Sequence, residues 1–226
     1  MMTNEGTSAL VEALRQQNAA YGFCSRLLRT EVDDDALARL RTMKLPADTG
    51  NGHLDAGYRG LCAAVSAGGE RMRGDLAVDF LHTFIGVTQE IEHVAFPYES
   101  VYTSPERLLM QDARDEVLAA YRAAKVVLVD EACEPEDHLA FELEFMQLLG
   151  ERAADAFDAG DEGACARLLE TRRAFLEEHL LNWVPAFAAD VQRIARTGFY
   201  RALADIVLGV LETDRAFLAD VLDDAA

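Results

Sequence analysis

Glu134, Pro135, Glu136, Asp137 and His138 stand in a row immediately before the apolar run "LAFELEFM". Carboxylates and an imidazole this close together can ligate a metal ion, move a proton, or hold a cation through charge-assisted hydrogen bonds. Helix initiation accounts for part of the row. Pro135 suits a first helical position, and Glu136 and Asp137 fall where the macrodipole favours negative charge. It leaves His138 unexplained.

A metal site is the most demanding of these readings. Glu134 and His138 are four residues apart, as are His138 and Glu142, so each pair shares a helix face, but a lone pair of that kind commonly forms one hydrogen bond. The stretch "EIEH", Glu90 to His93, has the Glu-x-x-His spacing of a di-metal carboxylate bundle. Such a bundle needs a second copy and two more inward carboxylates, and the sequence supplies no second copy. Cys24, Cys62, Cys133 and Cys165 are scattered, with no CxxC pair, and read as reduced and mostly buried thiols. No GxSxG elbow or GxxxxGK[ST] loop is present, and no cysteine has an electropositive setting. No catalytic residue, metal or cofactor is therefore assigned. A metal-dependent helical-bundle enzyme, an oxidase or hydrolase motivated by Glu90 to His93, stands as the alternative.

Cation binding fits the charge. Twenty-one Lys and Arg against 40 Asp and Glu give a formal charge of −19, which repels nucleic-acid phosphates and anionic lipid and attracts basic partners. The opening "MMTNEGTSALVEALRQQ" lacks the basic-then-apolar order of a secretory leader, and no stretch approaches the roughly 18 apolar residues of a membrane span. The expected location is cytoplasmic, without stable membrane insertion.

The elements that must position these residues are helices. Apolar residues recur at helical spacing almost throughout and sustained alternation is missing, so the fold class is all-α, with about nine to eleven helices in one domain over 1–226. A division near 126–134 is the alternative. Helices are expected over about 8 to 29, after an Asp33 or Asp34 cap, from near Asp55 to 67–69, over 73 to 86, onward from Ser104 and Pro105, over 135 to 158, and over 162 to 180, 183 to 196 and 199 to 222. The segment "AFPYESVYTSP", 95 to 105, is too irregular for a helix and too apolar for an ordinary loop, and is expected to lie against the body. From Asp137 a narrow polar stripe runs along the helix that follows, and it is expected to face solvent.

"EPEDH" followed by "LAFELEFM" resembles the E-P-x-D-H signature of the TorD/DmsD family of chaperones for molybdenum enzymes. "DFLHTFIGV", 79 to 87, is similar to that family's aromatic-x-x-Leu-Phe element, with Thr83 where leucine is usual. "FPYESVY", 96 to 102, resembles its Pro-aromatic-x-Ser-Val-Tyr loop, and "FLEEHLLNWVPAFAADV" with "FYRALADIVLGVL" resembles its last helices. The elements occur in family order across about 20 to 215.

The resemblance implies a cytoplasmic chaperone that binds the twin-arginine leader of an apo-molybdoenzyme, delays its export and assists insertion of the molybdenum cofactor. Its partners would be that leader and the enzyme's folded body, and it would act as a monomer or dimer. A leader is basic at one end and apolar beyond, so its receptor needs acids beside an apolar groove. Carried over by motif, Phe80 and Phe84 would line the groove, Pro97, Tyr98, Ser100 and Tyr102 would form its rim, and Asp137 and His138 its polar end. Glu142 joins them by helical spacing, one turn beyond His138. Plainer roles compete. Phe80 and Phe84 are spaced like core residues, Asp137 could serve only the helix dipole, and His138 could tie the 96–102 loop to the helix by hydrogen bonds. His179 and Trp183 are expected to pack the C-terminal helices.

Overall fold

The computed structural model describes residues 4–46, 48–86, 93–127 and 134–223. Among them the chain forms helices α1 (Asn4–Arg29), α2 (Asp34–Thr42), α3 (Gly52–Ala67), α4 (Met72–Phe80), α5 (Glu99–Thr103), α6 (Asp112–Ala123), α7 (Leu139–Asp158), α8 (Glu162–Phe175), α9 (Val184–Ile194) and α10 (Gly198–Asp223). Single π-helical turns, Leu81–Ile85 and Leu176–Leu180, prolong α4 and α8. The described residues contain no strand, and the all-α expectation holds.

Local chemistry sets many of the boundaries. Asp33, Asn51 and Asp161 each accept a hydrogen bond from a backbone N–H three residues on, satisfying a donor that the first turn would otherwise leave open. Pro185 lies in the first turn of α9, where its missing N–H is not needed. α7 is the axis of the molecule, with α1 and α8 packed on it. α10 packs on α3, and the two approach closely because Gly57 and Gly209 lack side chains where Ile206 and Leu54 fit. One apolar cluster runs through all these contacts, from Leu14 on α1 through Leu143 and Met146 on α7 to Leu211 on α10.

Three expectations are corrected. The helix expected from 135 begins at Leu139, and Pro135 to Asp137 form the turn before it. Segment 95 to 105 contains the short helix α5, whereas 104–111 is irregular and helix resumes only at Asp112. Asp137 does not face solvent; it is fully buried, and the polar stripe of α7 reaches the surface first at Glu144. The proposed division at 126–134 and the residues Glu90 and Cys133 fall wholly or partly outside the described residues. Of the other thiols, Cys24 and Cys165 are buried, Cys62 is exposed, and burial pushes the Cys24 thiol up to about 12.

Candidate functional site

Residues 97–99 and 137–139 lie side by side as the backbones of two strand-like turns. Glu99 N–H donates to Asp137 O at 3.0 Å, Leu139 N–H donates to Pro97 O at 2.8 Å, and Tyr98 and His138 form an isolated antiparallel bridge. Asp137 and His138 therefore pair with the chain about 40 residues upstream, and of the polar row only His138 also starts the helix.

Each side chain of the row has a specific partner. Asp137 Oδ2 accepts from the Ser100 N–H at 2.9 Å, in the first turn of α5. His138 is the N-cap of α7, with extended φ −72 and ψ 131, and its Nδ1 accepts from the Ala140 N–H at 3.0 Å. An imidazole thus takes the place usually held by Ser, Thr, Asp or Asn. Its ring also stands edge-on to the Tyr98 ring, centroids 5.0 Å apart. The Tyr98 hydroxyl donates to Glu134, and burial and that carboxylate push it far above its ordinary range. Glu136 receives a two-pronged hydrogen bond from Arg114 on α6, and its carbonyl accepts from the Tyr121 hydroxyl at 3.2 Å.

Behind this turn lies a carboxyl cluster. Glu99, Asp137 and Glu142 are all buried, and among the described residues no lysine or arginine makes an ion pair with any of them. Glu99 lies 3.0 Å from His179 Nδ1 and accepts from Asn182 Nδ2 at 3.2 Å. Glu142 accepts from the Trp183 Nε1–H at 3.3 Å. Burial, followed by the nearby Glu99 and Asp137 charges, holds the Glu142 carboxyl well above the usual carboxylate range, while Trp183 pulls the other way. Among the described residues, Glu142 Oε1 and Asp137 Oδ1 receive no hydrogen bond, and the Ser100 hydroxyl has no partner. No group of three or more His, Cys, Asp or Glu among them is arranged to hold a metal. The Glu90 to His93 motif lies, but for His93, outside the described residues.

An aromatic wall leads away from Trp183. Tyr102 stacks on it at 5.5 Å, Phe187 meets Trp183 at 5.7 Å, and Phe84 stacks on Phe187 at 6.1 Å and meets Phe80 at 5.3 Å. Phe80 and Phe84 are buried members of the core. Asp79 fixes their helix by accepting from Arg196 N–H at 2.9 Å, Thr197 N–H at 2.7 Å and the Thr83 hydroxyl at 3.0 Å. Thr83, where leucine would be apolar, thus completes the coordination of a buried carboxylate.

The structure brings Pro97, Tyr98, Ser100, Asp137, His138 and Glu142 into one cluster, joined to Phe80, Phe84 and Tyr102 by the aromatic wall. All but the half-buried Tyr102 are buried, and none of the nine lines the concavities of 810, 550, 300 and 270 Å³ that open on the surface. Sequence reasoning passed over Glu99 and Asp79. Glu99 was visible as the acid inside "FPYESVY" and Asp79 as the acid opening "DFLHTF", but charge alone gave no sign that either would be buried.

The chain matches the protein family described as nitrate reductase delta subunit over residues 51–189. It is 31% identical over 144 residues to the protein named chaperone protein TorD of Photobacterium profundum, covering 64% of each chain. Its identity to the TorD chaperone of a Vibrio cholerae O1 strain is 31% over 152 residues, 66% of this chain and 65% of that one. With the TorD chaperone of Vibrio vulnificus it shares 25% over 215 residues, 92% and 97% of the two chains. The matches at 31% identity span just under two thirds of those relatives' length.

Proposed function

The chain belongs to the nitrate reductase delta subunit family, alongside the TorD chaperones it resembles, and we propose that it is a cytoplasmic chaperone for a molybdenum-cofactor oxidoreductase. It binds the twin-arginine leader of the apo-enzyme, holds the enzyme back from export and assists insertion of the cofactor. It performs no covalent chemistry of its own. The family match carries this reading. The formal charge of −19 supports it, because a leader that begins with arginines is drawn to an acidic receptor. No described helix is long and apolar enough to cross a membrane.

The eight motif residues and Glu142 divide the work. Asp137 and His138, through Ser100 and Tyr98, hold the 97–102 segment on the start of α7. Glu142 fixes Trp183, and Phe80 and Phe84 back the wall that supports Tyr102. Only Tyr102 reaches the surface from this frame, so the others shape the receiving face and Tyr102 touches the leader.

Mixing the purified chain with an exported molybdoenzyme precursor, with and without its leader, tests the reading by size-exclusion chromatography. A complex that forms with the leader and is lost without it is expected. Equal complex formation by both precursors would rule out leader recognition.

A further inference from the structure

Tyr102 and Asp190 hold an arginine from the chain itself. The Arg107 guanidinium lies over the Tyr102 ring, 5.0 Å from its centroid, and its Nη2 donates to Asp190 Oδ2 at 3.3 Å. The same oxygen accepts from the Tyr102 hydroxyl at 3.1 Å, while Asp190 Oδ1 accepts from Arg193 one turn along α9 at 2.9 Å. An aromatic face with a carboxylate at its edge is what a guanidinium needs, because the ring attracts the cation and the carboxylate takes its N–H groups.

The site is built on packed helices, whereas its occupant comes from an irregular segment. Tyr102 is braced from below by Trp183 at 5.5 Å and Phe187 at 6.1 Å. Asp190 stands on α9, its side chain 20% exposed. Arg107 sits in the irregular 104–111 segment, its side chain 47% exposed and its φ of 53° in the left-handed region that a non-glycine residue seldom adopts. Exposure keeps its ion pair weak, and the backbone conformation opposes its retention.

The surroundings match a peptide that is basic at one end and apolar beyond. Leu108, Leu109 and Met110 follow Arg107 as three consecutive exposed apolar side chains. Glu106, Asp112, Asp115 and Glu116 are exposed around them. We propose that Tyr102 and Asp190 form a guanidinium-binding site in which Arg107 is an internal competitor, displaced by an arginine of the incoming leader. This rests on the leader-binding reading above and names the contact within it. Leu108 to Met110 then meet the apolar residues that follow the arginines.

Trp183 is the single tryptophan and stacks on Tyr102, so its emission reports on the site. The full chain is titrated with a twin-arginine leader peptide and, separately, with N-acetyl-Arg-Arg-amide. Arg107→Ala should bind the leader about three- to tenfold more tightly, the fold-change of losing one exposed ion pair and one cation–π contact. Arg15→Ala, which removes an exposed positive charge paired with Asp158 elsewhere, controls for overall charge. Asp190→Asn should weaken binding and abolish the gain from Arg107→Ala. If the wild type binds the leader but Arg107→Ala behaves like Arg15→Ala, the competitor is refuted and leader recognition stands. Should the leader fail to bind while the diarginine probe perturbs Trp183 more strongly in Arg107→Ala, the guanidinium site stands and leader recognition falls. Silence with both ligands overturns both.

Discussion

Between α1, α8 and α10, Arg172 and Asp214 are shut away from solvent as an ion pair, Nε to Oδ2 at 3.0 Å. Tyr21 donates to the same carboxylate at 2.8 Å, Asn18 accepts from Arg172 Nη1 at 2.9 Å, and the guanidinium lies 5.1 Å from the Tyr21 ring centroid. Between α5, α7 and the Leu176–Leu180 turn, Glu99, Asp137 and Glu142 are buried as deeply without such a cation. The first cluster balances charge with charge and joins three helices. In the second, burial and the acidic neighbours push the Glu142 carboxyl well above the usual range and so favour its uncharged form. The first is built for permanence, and the second ties the largely buried segment 97–102 to the core by contacts that respond to protonation.

Removing one partner from each cluster should separate them most sharply. Asp214→Ala leaves Arg172 buried and unpaired, and should lower stability by roughly 3–5 kcal/mol in urea denaturation. Glu142→Gln keeps the shape of the side chain and leaves no buried charge unpaired, and should lower stability near neutral pH by no more than about 1 kcal/mol. Comparable large losses in both variants would erase the distinction.

The pH dependence sharpens the contrast further. Folded Glu142 keeps its proton where an unfolded glutamate, with a pKa of about 4.3, has lost it. The folded state then binds more protons, so stability falls as pH rises from that value until the folded carboxyl also ionises. Glu142→Gln should flatten this decline. Burial also pushes the Asp214 carboxyl upward despite Arg172, giving a slope of the same sign, so the difference between wild type and Glu142→Gln isolates Glu142. Denaturation midpoints measured across pH for both proteins check it, and parallel curves would mean that Glu142 is not the protonated group.

Much of the helix order was legible because its signals are local. The Asp33 cap, Pro185 in a first turn and the "AGDEG" connection before α8 each act within a few residues. Pro135, Glu136 and Asp137 carry an equally clear helix-start signal and still form a turn, because their carbonyls are taken elsewhere: Pro135 O by the His138 N–H, Glu136 O by the Tyr121 hydroxyl and Asp137 O by the Glu99 N–H from far upstream. Ser104 and Pro105 likewise look like a helix start, but Ser104 Oγ accepts from the Leu108 N–H at 3.1 Å and closes a turn. The motif residues of the candidate site were identified as a set and do converge, and the core spacing of Phe80 and Phe84 was visible, yet the burial of the acids was not readable. Whether an acid such as Asp137 or Glu99 lies inside depends on donors brought by other helices: Ser100 N–H for one, Asn182 and His179 for the other. The Arg107–Tyr102–Asp190 contact joins residues 83 positions apart along the chain and left no local trace.

Calorimetric titration of the chain with a twin-arginine leader, and with the same peptide carrying two alanines in their place, tests the central claim most directly. The arginine peptide should bind at low salt with at least about tenfold higher affinity than the alanine peptide, and the gap should narrow as salt screens the exposed charges. Equal affinities that do not change with salt would contradict recognition of the leader by its arginines.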